Sequence, residues 1–302
     1  MIRDFSVRLG AITVHYTGEM PDWNENSLVR RFLTADCAPD VTVQYTVTDR
    51  IEPPEGRLLW ETREQVVSRT DGGTAHYYRN VWDEAPFFAR LTRRDDAPER
   101  LDVQYVPSEI IKNDTDRMVL GWVEMERLFH ERQQALFHAA WVMRKGKALL
   151  FSGACGVGKS TQAELWHTYR GAQLVNGDKT GLSFRDGGLT AFGTPFSGSS
   201  RYCGDETAPV RAIVMLEQAP TDTIRRLSVK EAVRALASQM PCQKWFADDV
   251  TAVLEYAGLA ANRVPIYLLS CTKEESAVDL LDQTLKEEET NAGITHLQIP
   301  AR

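Results

Sequence analysis

Residues 153–160 read Gly-Ala-Cys-Gly-Val-Gly-Lys-Ser, and they restrict what this 302-residue chain can become more than any other stretch. The apolar run Ala148–Phe151 leads into them, and Ala163, Leu165 and Trp166 follow in a helical pattern. Strand, glycine-rich turn and helix in that order are the setting of a phosphate-binding P-loop. Glycines let the backbone turn tightly and keep side chains off a ligand. Successive N–H groups and the helix amino terminus then form an anion-binding hollow. The motif therefore predicts that Gly153, Ala154, Cys155, Gly156, Val157, Gly158, Lys159, Ser160 and Thr161 hold nucleotide phosphates. Lys159 is expected to reach the β- and γ-phosphates as a mobile charge, and Ser160 to place its hydroxyl on Mg2+. Thr161 belongs to the first helical turn. ATP and Mg2+ are the cofactors this implies.

Such a site needs a carboxylate near its metal. Asp178 is the leading candidate, because Asn176-Gly-Asp178 follows the short apolar element Leu174–Val175. It is expected to bind Mg2+ or to take a proton from a hydroxyl. His138 stands at the head of an apolar strand, and its titration near neutrality suits it to proton transfer; a structural hydrogen bond is the plainer alternative. The expected catalytic set is thus His138, Lys159 and Asp178, with Ser160 and Asp178 on the metal. Lys179, Arg201, Asp205, Glu206 and Glu217 are secondary candidates, each with a turn, cap or surface role as its alternative. Arg225, Arg226 and Lys230 form a small basic group that suits either a solvated face or peptide or phosphate recognition.

The pattern changes along the chain. Phe5, Val7, Leu9, Ile12 and Val14 alternate imperfectly, Val41–Val47 alternates cleanly, and Arg69–Thr74 reads as a hairpin turn. These strands predict a curved antiparallel sheet. Met118, Trp122, Met125, Leu128 and Phe129 predict a buried helix running through Phe137. Beyond it, strands alternate with helices. The expected fold class is α/β: a P-loop kinase domain with a mixed sheet flanked by helices over residues 126–302. A smaller, strand-rich α+β domain precedes it over residues 1–125, open to acceptor recognition, site shielding or subunit contact in a homo-oligomer.

Composition excludes several classes. At 43% hydrophobic and 25% charged, the chain reads as globular rather than disordered. A net charge of -7 without a basic stripe predicts no nucleic-acid partner. No apolar run reaches about eighteen residues, so no membrane partner is expected. Met1–Val14 lacks the apolar core of a signal peptide, which predicts a cytoplasmic location. The five cysteines are odd in number and form no CxxC, so reduced thiols are expected rather than disulfides or zinc.

Taken together, His138-Ala-Ala-Trp141, Leu149–Thr161 and Asn176-Gly-Asp178 resemble the catalytic domain of bacterial HPr kinase/phosphorylase and its relatives. The core of that family is similar in turn to ATP-dependent phosphoenolpyruvate carboxykinase. The resemblance covers roughly residues 130–270 and is strongest over 138–180. It implies phosphate transfer to a serine hydroxyl, with His138 and Asp178 assisting hydroxyl and metal while Lys159 and Ser160 hold nucleotide and Mg2+. The family's paired acids are here Gly177-Asp178, and Ala191–Gly198 matches its later glycine-rich signature poorly, which implies a divergent relative with an acceptor other than HPr. The expected reaction is Mg-ATP-dependent phosphorylation of a serine in a peptide or small protein. A kinase for a small-molecule hydroxyl, and a nucleotide-controlled ATPase or binding module, stay open beside it.

Overall fold

The computed structural model describes residues 2–20, 27–35, 38–79, 87–109, 120–185 and 187–297. The chain divides into two compact units, Met1–Arg132 with Cys242–Val250, and Gln133–Pro241 with Thr251–Arg302.

Nine strands build the first unit: β1 (Ile2–Leu9), β2 (Ile12–Glu19), β3 (Leu33–Thr34), β4 (Val41–Val47), β5 (Arg57–Glu61), β6 (Gln65–Thr70), β7 (Gly73–Arg79), β8 (Phe87–Arg94) and β9 (Arg100–Tyr105). Their order in the sheet is β3-β1-β2-β4-β9-β8-β7-β6-β5. The imperfect alternation near the amino terminus is two strands: Leu9 faces Ile12 across a turn at Gly10-Ala11, which shifts the apolar register. The turn expected at Arg69–Thr74 is present, with Thr70 opposite Gly73. The sheet is not wholly antiparallel, however, because β4 runs parallel to both β2 and β9. Parallel neighbours need long crossovers rather than tight turns, and local patterning carries no trace of such pairing. Val41, Val43 and Tyr45 on β4 and Leu101, Val103 and Tyr105 on β9 are all buried.

The helix expected from Met118 through Phe137 is interrupted within the described residues and gives way to a strand at Gln134. Among the described residues of this stretch, Leu120 and Gly121 are helical, 122–124 form a turn and α1 (Met125–His130) follows, while Met118 lies outside the described residues. Glu124 (φ 51°) and Gln133 (φ 54°) adopt left-handed backbone on either side of it, and neither conformation continues a helix. Burial of Trp122, Met125, Leu128 and Phe129 still follows the periodicity.

Glu124 is 2% exposed and has three cationic or basic neighbours. Its Oε1 lies 2.6 Å from His76 Nε2, its Oε2 3.2 Å from Arg93 Nη1 and 3.7 Å from Arg127 Nη1. Burial works against its charge, but His76, Arg127 and Arg93 more than offset this and hold its pKa at about 2. A carboxyl depressed in this way stabilises the fold fully above its ordinary value of 4.5, and that contribution fades as pH falls toward 2. Glu124→Ala removes the carboxylate from buried His76 and Arg93, while Arg93 keeps Glu131 at 2.7 Å, so it is expected to cost about 1–3 kcal/mol. Thermal melts of both forms from neutral to acid pH check this. Equal melting temperatures at neutral pH would contradict it.

The returning segment Cys242–Val250 belongs to this first unit. Trp245 packs its ring on Trp60 and edge-on to His76, at centroid distances of 5.8 and 5.6 Å. Phe246 lies 4.2 Å beneath the Arg127 guanidinium, and Asp249 pairs with His130.

The second unit contains β10 (Gln134–Arg144), β11 (Lys147–Ser152), β12 (Gln173–Asn176), β13 (Lys179–Arg185), β14 (Gly188–Phe192), β15 (Thr207–Gln218), β16 (Thr223–Arg226) and β17 (Ile266–Cys271). Its helices are α2 (Lys159–Arg170), α3 (Val229–Ala237), most of α4 (Ala247–Arg263) and α5 (Glu275–Leu297). The architecture is α/β with a mixed sheet. The long strands β10 and β15 each serve two neighbourhoods. The first half of β10 pairs antiparallel with β13, its second half with β11 and β12. The start of β15 pairs antiparallel with β14, and its later part runs parallel to both β11 and β17. Helices α2 and α5 cover one face through Ala163, Trp166, Ala277, Val278 and Leu281, packed on Phe151, Val214 and Leu269. Near-continuous apolar runs on β11 and β15 reflect burial on both faces.

No disulfide joins Cys155, Cys203, Cys242 or Cys271, while Cys37 lies outside the described residues. Among the described residues no helix is long and apolar enough to cross a membrane.

Candidate active site

The glycine-rich segment connects the carboxyl end of β11 to the amino end of α2. Gly153 (φ 145°) and Gly158 (φ 112°) take backbone that L-side chains rarely adopt. At Gly153 space also decides, since a Cβ there would come within 3.1 Å of Leu216 O. Gly158 is the N-cap of α2, so the first free N–H groups of the helix follow it directly. Gln218 secures the outer side of the turn, donating from Nε2 to Gly156 O at 3.2 Å and Val157 O at 3.4 Å.

Lys159 folds back over this turn. It is 8% exposed, and Nζ donates to Gly153 O and Ala154 O, both at 3.2 Å. Burial pushes its pKa below the ordinary lysine value, while Asp178 and Cys155 act in the opposite sense. Among the described residues the Lys159 ammonium's hydrogen bonds go to carbonyl dipoles alone, an arrangement that can also receive an anion. Ser160 Oγ donates to Gly177 O at 3.4 Å, which places its hydroxyl beside the residue preceding Asp178.

Asp178 sits in a braced turn. Its N–H donates to Asn176 Oδ1 at 2.9 Å, and the fully buried Asn176 donates from Nδ2 to Thr194 O at 2.9 Å. Gly177 has no room for a side chain: a Cβ would fall 1.7 Å from Ser200 Oγ and 2.9 Å from Ser200 Cβ. A single acid at this turn is therefore built into the local packing. On the other side, a Cβ on Gly198 would meet Asp178 Cβ at 2.9 Å. The Thr194–Gly198 loop thus packs on the aspartate. Phe196 O accepts from Lys179 N–H at 3.1 Å, and the Lys179 ammonium lies 5.2 Å from the Phe196 ring centroid.

His138 faces Asp178 across this hollow, with Nε2 3.3 Å from Asp178 Oδ1. Its Nδ1 lies 3.2 Å from Gln239 Oε1, its backbone N–H donates to Gln239 O at 2.9 Å, and its carbonyl accepts from Ser152 Oγ at 2.7 Å. Gln239 therefore fixes both the strand and the ring, although no sequence pattern singled it out. Burial first and Lys159 second lower the His138 pKa; Asp178 and Gln239 pull it back, and Lys179 adds to the lowering.

His138, Lys159, Ser160 and Asp178 converge in one hollow. Of the secondary candidates, Lys179 acts on His138 through its charge, whereas Glu206, Glu217 and Asp205 do not join the group. Glu206 pairs with Gln173, at the end of β12 remote from Asn176. Glu217 accepts from Ser270 Oγ at 3.0 Å on the β15–β17 edge. Arg225 and Arg226 pair with Glu231 and Glu288, a solvated arrangement, and Asp205 is exposed. Arg201 follows the short 3-10 turn Gly198–Ser200 with φ 57°. Cys155 is exposed on the turn.

Among the described residues no three His, Cys, Asp or Glu side chains cluster as metal ligands. The donors present, one hydroxyl and one carboxylate, nevertheless fit Mg2+, which retains waters and shares phosphate oxygens rather than filling a protein cage.

No protein-family model matches this sequence, and no curated protein does. Among solved structures it is similar to the Hpr(Ser) kinase/phosphatase from Coxiella burnetii, with 14% identity and a TM-score of 0.34. The match spans 54% of this chain and 98% of that one, a weak likeness at the level of fold.

Proposed function

We propose that this chain is an Mg-ATP-dependent kinase that phosphorylates a serine hydroxyl on a peptide or small protein. One observation carries the reading: the Lys159 ammonium and Ser160 hydroxyl at the head of α2 share a hollow with the His138–Asp178 pair. Phosphate binding alone would need no imidazole–carboxylate pair beside the terminal phosphate.

The roles follow from the chemistry of each group. The backbone N–H groups of the turn and the head of α2 orient the phosphate chain. Lys159 neutralises charge as the γ-phosphoryl group moves. Ser160 and Asp178 would hold Mg2+, which supplies charge neutralisation on the β- and γ-phosphate oxygens. His138, kept neutral by its lowered pKa, donates Nδ1–H to Gln239 and presents Nε2 as proton acceptor. As the acceptor oxygen bonds to phosphorus and the bond to the bridging oxygen of ADP breaks, the hydroxyl proton passes to Nε2. Asp178 Oδ1, 3.3 Å away, stabilises the imidazolium that results.

Incubation with γ-labelled ATP, Mg2+ and candidate acceptors, followed by mass spectrometry, tests the assignment. Label on a serine ester supports it. Label on a metabolite, with every serine acceptor unmodified, would replace the acceptor class, and release of free phosphate alone would replace the kinase by an ATPase.

A further inference from the structure

A cavity of about 180 Å³ opens on the flank of the turn away from His138 and Asp178. The sheet separates the two sides. Strand β11 carries the turn; β10 and β12, which lead to His138 and Asp178, lie on one side of it, and β15 and β17 on the other. The cavity sits at the carboxyl ends of β15 and β17, against the first turns of α2, where ligands bind in open α/β sheets. Val157, Thr161, Gln162, Ala219, Cys271 and Thr272 are among its walls. A phosphate chain laid across the head of α2, with its terminal group toward Asp178, has its opposite end directed here.

A second, independent feature points to an occupant. Gln162 is 2% exposed, and its Nε2 donates to the wall itself, at 3.2 Å to Thr272 O and 3.4 Å to Cys271 Sγ. Its Oε1 is buried with no hydrogen-bond partner among the described residues. Buried acceptors are normally satisfied, so an orphan one in a cavity wall calls for a donor. The rim cannot simply relax to supply it, because Asp222 accepts from Thr272 N–H at 2.6 Å and also binds Ser276. The volume is below that of sites enclosing whole drug-sized ligands, which suits one planar ring system with its phosphates outside.

We infer that this cavity is the base subsite of the nucleotide, with Gln162 Oε1 accepting from the exocyclic amine of adenine. The inference rests on the phosphate-binding reading of Gly153–Ser160 and is separable from it. Calorimetric titration of the full chain in Mg2+ with ATP, ITP and inorganic triphosphate tests both. ATP is expected to bind about tenfold tighter than ITP, whose carbonyl oxygen would face another acceptor, and tighter still than triphosphate. Ala219→Phe, which fills the cavity from a wall position, should bring ATP down to triphosphate's affinity and leave triphosphate unchanged. Triphosphate binding as tightly as ATP to the unaltered chain overturns the base subsite while sparing the phosphate site. ITP matching ATP overturns the role of Gln162. Absence of binding by all three overturns the phosphate reading and this inference with it.

Discussion

Lys159→Met is expected to lower kcat/KM for ATP by at least about a hundredfold, without loss of folded protein. Methionine keeps most of the buried stem and removes only the charge and its three donors. The two effects of that removal have opposite signs. For function, the turn loses a full positive charge, which backbone N–H groups alone cannot replace. For stability, the lowered pKa of Lys159 means that the folded chain holds the ammonium less favourably than water does. Removing it therefore costs the fold little, and the melting temperature should hold or rise. This is the signature of a residue retained for work rather than for packing. Lys159→Arg should not rescue activity, because a planar guanidinium cannot occupy the small space in which Lys159 Nζ donates to the Gly153 and Ala154 carbonyls. Near-normal turnover by the methionine variant would remove the phosphate site from the turn. Unfolding of that variant would instead make Lys159 structural.

What the sequence revealed here was mostly local. The turn Gly153–Ser160 was legible as a connection between strand and helix because Gly153 and Gly158 supply backbone that other residues rarely adopt. The strands β11 and β15 were legible through apolar runs, and α2 through periodicity. The single-acid turn at Asp178 was visible as Asn-Gly-Asp, but its reason was not. That Gly177 is filled by Ser200, and that Asn176 ties the turn to Thr194, depend on residues some twenty positions away meeting in three dimensions. Gln239 and Gln162 were hidden for the same reason. Each is an unremarkable amide in a helical or turn segment, and only its partner gives it meaning: His138 for the first, the wall of a cavity for the second.

The first unit shows a similar limit in its backbone. Alternation in β4 and β9 reported burial correctly, because period two is a property of each strand alone. Their parallel pairing reflects chain direction over more than fifty intervening positions, on which side-chain pattern is silent. The helix foreseen from Met118 to Phe137 failed at Glu124 and Gln133. Both residues favour helix intrinsically, yet each takes left-handed backbone here. At Glu124 the tertiary contacts that outweigh propensity are identifiable: its carboxylate is drawn into the pocket of His76 and Arg93. The return of Cys242–Val250 to this unit through Trp245 and Phe246 is likewise invisible to any reading that divides a chain at one point.

Asp178→Asn is expected to reduce the plateau rate of phosphate transfer by about a hundredfold or more, and its pH profile carries the sharper information. In the unaltered protein His138 acts as base only when neutral, so activity should rise with pH through the His138 pKa. Burial and Lys159 place that pKa below the ordinary histidine value, and the acidic limb should therefore lie below 6.5. Asp178 opposes this lowering by stabilising the imidazolium. Replacing it with the uncharged amide removes that support, lowers the His138 pKa further and moves the limb to still lower pH. Gln239→Leu should move the limb in the same direction, since the Nδ1–H contact also favours the protonated ring. Lys179→Met should move it upward by removing a like charge. His138→Gln should abolish the limb altogether while leaving ATP affinity within about threefold, because Nε2 faces Asp178 rather than the glycine-rich turn. Three shifts of stated sign around one imidazole cannot arise from a residue that merely supports the strand. If the limb stays in place in all of these variants, or if the asparagine protein turns over at the normal rate, the proton leaves the hydroxyl by another route.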